Sequence, residues 1–167
     1  METDYVGDAI RRARTRLQLS EAECALAAGL TPMSYDDVET YSDEFFDNIS
    51  LGSARRICHR LGLNLVDLTA QYFNSETKFD LPVGDGEFYF RHDLISEART
   101  RKGMSPVDLG DAIGFEAIAI EQIERTPDFI ESMPIHAIVD IALALDLDPG
   151  RLVCNTVGGA SGKPETR

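Results

Sequence analysis

The feature that most constrains this chain is that it contains itself twice. Shifted by 85 residues, Ala13-Arg14-Thr15-Arg16 falls on Ala98-Arg99-Thr100-Arg101. Under the same shift Ser20 falls on Ser105, Gly29 on Gly114, Val38 on Ile123 and Glu39 on Glu124. Further on the offset drops to 84, and Leu51, Ile57, Leu61, Leu63 and Leu68 meet Ile135, Ile141, Leu145, Leu147 and Leu152. Apolar spacing shared over about sixty residues marks an internal duplication, so the fold has to be built from two like units.

Each copy reads as a run of helices. The first copy predicts a helix from Ile10 to Leu17, then a cap at Ser20 and a second helix with small and apolar residues at Cys24, Ala25 and Ala28. Gly29 closes that helix where a left-handed residue is wanted. A third helix starts near Thr31-Pro32, with proline in its first turn, and turns Tyr35 and Val38 inward. Helix, glycine turn, helix is the helix-turn-helix arrangement. The second copy repeats it with Ser105-Pro106, Leu109, Ile113, Gly114, Phe115, Ile120 and Ile123. A fourth helix over Leu51–Leu61 carries one buried stripe and ends at Gly62, and Asn64 caps a fifth. Their counterparts begin at Pro134 and at Asp148-Pro149.

Both copies resemble the lambda-repressor-like (XRE/Cro-type) helix-turn-helix family of bacterial and phage regulators. The residues that carry the likeness are Ile10-Arg11, Arg14, Leu19-Ser20, Cys24-Ala25, Gly29-Leu30-Thr31, Tyr35 and Val38-Glu39. In the second copy they are Ile95, Arg99, Met104-Ser105, Leu109-Gly110, Gly114-Phe115, Ile120 and Ile123-Glu124. The resemblance implies an all-α protein of two tandem five-helix domains packed together, with a short non-helical connector. It also implies that the arginine of helix one pairs with the glutamate ending helix three. Here those pairs are Arg14–Glu39 and Arg99–Glu124, and a guanidinium fork on a carboxylate fixes two helices in register.

The departures from the family bear on function. The family reads DNA from the start of the second helix, where a glutamine usually contacts phosphate, and from the outer face of the third. Glu21 and Pro106 replace that glutamine, and the reading positions hold Pro32, Met33, Asp36 and Asp37, then Glu116, Ala117, Ile118, Glu121 and Gln122. From Thr31 to Asp47 there are six acids and no lysine or arginine, and from Glu116 to Glu131 five acids stand against Arg125 alone. A recognition helix needs cations to meet a polyanion and arginine, lysine, asparagine or glutamine to read bases. Carboxylates there repel phosphate by about 1 kcal/mol or more per close pair.

The whole chain is acidic, with 16 bases against 29 acids and a net charge of −13. That charge disfavours nucleic acid and anionic membrane and favours a basic partner, or serves solubility alone. No apolar run is long enough to span a bilayer, and Met1–Asp8 does not read as a signal peptide. Cys24, Cys58 and Cys154 have no metal-ligand spacing and read as reduced thiols of a cytoplasmic protein. His59, His92 and His136 are scattered without a nucleophile or carboxylate partner at telling spacing, and no phosphate loop or dinucleotide fingerprint is present. No enzyme activity and no cofactor are therefore expected.

Beside the third helix lies Tyr41–Asn48, expected as an acidic loop in which one phenylalanine of Phe45-Phe46 plugs the core and the other can anchor a partner. Its counterpart carries Phe129-Ile130 between Asp128 and Glu131. Residues 1–73 form the first expected domain, 74–90 the connector, 91–154 the second domain and 155–167 a disordered tail. The connector reads either as a hairpin around Gly84-Asp85-Gly86 or as a segment packed between the copies. The functional expectation is a regulator of antitoxin, immunity or anti-repressor type that binds a basic protein. Its acidic face would be Asp36, Asp37, Asp43, Glu44, Glu116, Glu121, Asp128 and Glu131. Its apolar anchors would be Met33, Phe45, Phe46, Ile118 and Phe129. The alternative is a DNA-binding regulator acting through Arg11, Arg12 and Arg16 of helix one, or after homodimerisation.

Overall fold

The computed structural model describes residues 6–73 and 91–153, and among these the regular structure is helical. The first half holds α1 (Val6–Arg16), α2 (Glu21–Ala28), α3 (Pro32–Thr40), α4 (Glu44–Asp47), α5 (Leu51–Leu61) and α6 (Leu65–Phe73). The second half holds α7 (Arg91–Arg101), α8 (Pro106–Ile113), α9 (Ala117–Arg125), a 3₁₀ turn (Phe129–Ser132), α10 (Ile135–Ala144) and α11 (Pro149–Val153). Adding 85 to both bounds of α1, α2 and α3 gives the bounds of α7, α8 and α9. The duplication read from the sequence thus recurs in the helices.

Local chemistry explains where these helices start and stop. Ser20 accepts from the Glu23 amide while the Glu23 carboxylate accepts from the Ser20 amide at 2.7 Å, a reciprocal cap that satisfies two orphan donors of α2. Ser105 and Asp108 make the same exchange at the start of α8. After α1 the chain reverses through a left-handed residue, Gln18 at φ 56°, and after α7 through Gly103 at φ 68°. After α5 and α10 the roles swap, with Gly62 at φ 66° and Asp146 at φ 54°. At each of these paired positions one copy has glycine and the other carries a side chain in a region that costs L-residues energy.

Tyr41–Asn48 is not a plain loop. Four of its residues wind into α4, and both phenylalanines go inside. Phe46 stacks on Tyr72 of α6, with centroids 4.0 Å apart and planes at 21°, and meets Phe73 edge-on. Phe73 in turn touches the His136 ring of α10.

The apolar core is continuous across the two halves, running from Ile10, Tyr35 and Ile57 to Ile95, Ile120, Ile138 and Leu152. The halves join through reciprocal contacts. Ser50 and Pro134, which are equivalent under the 84-residue shift, form an antiparallel bridge, and the Leu51 amide donates to the Met133 carbonyl at 2.7 Å. In the same way α4 lies against α10 while the 3₁₀ turn lies against α5, and α6 meets α11. Asp47 reaches His136, and Glu131 lies against Gly52, which are the same two positions exchanged between copies. Contacts that map onto themselves when the partners are exchanged define an isologous, two-fold interface. The connector 74–90, the tail 155–167 and Cys154 lie outside the described residues.

Candidate partner-binding faces

Helix α3 is started by Thr31, whose hydroxyl accepts from the Ser34 amide at 3.1 Å, and by Pro32 in its first turn. It buries Tyr35, Val38 and Glu39, which fixes the opposite side outward. Met33 is 76% exposed there, and Asp36 is exposed beside it on the next turn. Helix α9 buries Ile120 and Ile123 and leaves Ile118, the counterpart of Met33, 59% exposed. Glu121, the counterpart of Asp36, is half-buried and pairs with Arg125 at 3.7 Å. Asp37 is half-buried, and Asp43, Glu116 and Asp128 are exposed. The Glu44 carboxylate accepts from the Asn48 side-chain Nδ2 at 2.8 Å and so braces its own short helix.

The expected arginine–glutamate pairs hold these faces in place. Arg14 Nε and one terminal nitrogen donate to the two Glu39 oxygens at 2.5 and 2.8 Å, and a third donor of the same guanidinium reaches the Leu19 carbonyl. Arg99 grips Glu124 and the Met104 carbonyl in the same way. Burial pushes the Glu39 carboxyl up, but the Arg14 fork and neighbouring Arg11 outweigh it and hold the group below its ordinary value. Gly7 makes this approach of α1 to α3 feasible, since a Cβ there would stand 2.6 Å from the Glu39 carbonyl oxygen.

Arg11 does not stand free for phosphate. It donates to the Glu39 carbonyl at 2.8 Å and pairs with the Glu39 carboxylate at 3.5 Å and with Asp8 at 3.6 Å. Arg12 and Arg16 are exposed on the same helix. Beside Arg11 a shallow cavity of about 350 Å³ is lined by Gly7, Asp8, Glu39, Thr40 and Ser42. Its one buried carboxylate, Glu39, accepts from Arg14 and pairs with Arg11 at 3.5 Å.

Three of the expected partner contacts are corrected. Phe45 and Phe46 are fully buried core residues, so neither is available as an anchor, whereas Phe129 is half-buried and packs in part against the core. Glu131 does not belong to an outward acidic face. It sits at the junction of the halves, accepting from Arg55 at 3.0 Å and pairing with Arg91 at 2.6 Å. Those two guanidiniums also donate to the carbonyls of Val153 and Leu152. Burial raises the Glu131 carboxyl, and the two arginines more than reverse that, leaving it depressed.

Several exposed apolar residues escaped the sequence reading, Val107 and Leu143 among them, and Leu26 is the most exposed at 83%, on α2, which packs directly on α3. The signal was there, because the inward stripe of Cys24, Ala25 and Ala28 leaves Leu26 on the outer side of a 3.6-residue period. Among the described residues no cluster of His, Cys, Asp and Glu is placed to hold a metal ion, and no helix is long and apolar enough to cross a membrane. Comparison with protein-family models, with characterised proteins and with solved structures finds no match to this chain.

Proposed function

We propose that the chain is a pair of tandem lambda-repressor-like helix-turn-helix units fused into one body, and that it works by binding a basic protein rather than by catalysis. The observation that carries this reading is the outer side of α3 and α9. There, at equivalent positions, Met33 with Asp36 and Ile118 with Glu121 occupy the place where the family presents base- and phosphate-reading groups. An exposed apolar side chain flanked by carboxylates suits a cationic protein surface and repels a phosphate backbone. The engagement of Arg11 by Glu39 and Asp8 removes one of the three cations on which DNA binding from helix one would depend. The buried, unpaired thiols of Cys24 and Cys58 suit a reducing, cytoplasmic setting.

The test is fluorescence anisotropy on random duplex DNA at about 50 mM salt, where phosphate-driven binding is strongest. It is paired with affinity capture from the native host. No saturation on DNA is expected, together with capture of a basic protein that is lost on Asp36→Lys with Asp37→Lys. Duplex binding at about micromolar concentration, abolished by Arg12→Glu with Arg16→Glu, would overturn the reading in favour of a DNA-binding regulator.

A further inference from the structure

The junction between the halves carries an implication for the partner. The halves exchange equivalent contacts across the Ser50–Pro134 bridge, α4 on α10 against the 3₁₀ turn on α5, and Asp47 on His136 against Glu131 on Gly52. Such an arrangement relates the halves by a half-turn, so it also carries the outer face of α3 onto that of α9. The faces correspond in chemistry as well as in place. The apolar pair Met33 and Ile118 and the acidic pairs Asp36 with Glu121 and Asp43 with Asp128 recur at the 85-residue offset. None of these six is needed to fill the core, since Met33 and Ile118 are exposed and the acids lie on the surface or half-buried. Within the faces the match is incomplete, since Asp37 becomes Gln122; away from them Leu26 becomes Asp111 and Thr40 becomes Arg125, while the exposed Thr15-Arg16 recurs as Thr100-Arg101.

We infer that the chain binds two copies of one basic protein, one against each third-helix face, related by the same half-turn as its own halves. This rests on the reading of those faces as protein-binding surfaces. Each copy of the partner would lay a cationic rim around an apolar contact with Met33 or Ile118, with lysine or arginine facing Asp36 and Asp43 or Glu121 and Asp128.

The probe is a synthetic amphipathic helical peptide with a leucine stripe edged by lysine and arginine, titrated into the full chain. Isothermal calorimetry is expected to give two peptides per chain, with amide shifts in ¹H–¹⁵N spectra at both Met33–Asp36 and Ile118–Glu121. Asp36→Lys should reduce the stoichiometry from two to one and leave the α9 shifts intact. Glu121→Lys, or Ile118→Glu should the first perturb α9 itself, should do the converse. One peptide per chain, or shifts confined to one face, overturns the two-site inference while the acidic-face reading stands. Absence of binding to either face overturns both.

Discussion

Glu131 is the residue whose loss tests how the halves are held. Among the described residues it is the acid that pairs with two guanidiniums themselves withdrawn from water: Arg91 is 9% exposed and Arg55 17%, against 28% for Glu131. Glu131→Gln keeps the shape and removes the charge, leaving two largely buried cations facing each other across a neutral amide. Breaking a fully buried pair costs about 3–5 kcal/mol, mostly as the penalty of the charge left unpaired. The partial exposure of Glu131 and the carbonyl contacts that remain to both arginines lower this to about 2–3 kcal/mol. Urea unfolding followed by circular dichroism should show that loss as a lower midpoint. If the energy belongs to the charge imbalance, replacing all three charges with Arg55→Met, Arg91→Met and Glu131→Leu should recover much of it. A Glu131→Gln protein within about 0.5 kcal/mol of wild type, or a triple variant weaker than the single one, would refute the reasoning.

Arg14→Lys keeps the charge but loses the fork on Glu39, and should cost about 2 kcal/mol. Arg99→Lys should cost less, because Glu124 is 11% exposed where Glu39 is 2%, and thermal unfolding of the pair checks the order. Gln18→Gly and Asp146→Gly put glycine where the other copy already has it, and each should relieve about 1 kcal/mol of left-handed strain; Asp146→Gly gives less, since it also loses the 2.7 Å pair with Lys102. A fall in the unfolding midpoint for Gln18→Gly would contradict this. Glu39 and Glu131 are both depressed in the folded chain, so their contribution is complete above the unfolded carboxyl value of about 4.3 and is lost as pH falls below it. Between about pH 5 and pH 3 the urea midpoint of wild type should therefore fall more steeply than that of Glu131→Gln.

What could be seen in the sequence was what depends on near neighbours or on a fixed spacing. The caps Ser20 and Ser105 and the glycine turns at Gly29 and Gly114 are set by residues within one turn, so they appear where local chemistry places them. The Arg14–Glu39 and Arg99–Glu124 pairs were visible through the family pattern, and both form. The junction between the halves was not visible. Periodicity shows that Phe45 and Phe46 are apolar among acids, but not that α6 and α10 will lie over them. The pattern that looked like a partner's anchor packs instead on α6 of its own half, within a short helix that lies against α10 of the other. Glu131 misled for the same reason, because its two arginines lie 76 residues before it and 40 before it, with no local mark of the meeting.

The one-residue drop in the repeat offset, from 85 to 84, shows how that junction is kept in register. Ten residues, 41–50, join α3 to α5, and nine, 126–134, join α9 to α10. The shorter connection is the one that contains the 3₁₀ turn in place of α4. A 3₁₀ helix rises about 2.0 Å per residue and an α-helix about 1.5 Å, so four residues gain about 2 Å of reach. The tighter winding thus makes up much of the length lost with the missing residue. Ser50 and Pro134 then arrive with the same extended backbone, φ −70° and ψ 153° against φ −68° and ψ 149°, each just ahead of its helix. They meet there in an antiparallel bridge. Restoring a residue between Ser132 and Pro134 should therefore disturb the junction of the halves while leaving α7, α8 and α9 folded, which amide exchange at Leu51 against that at Ile120 would report.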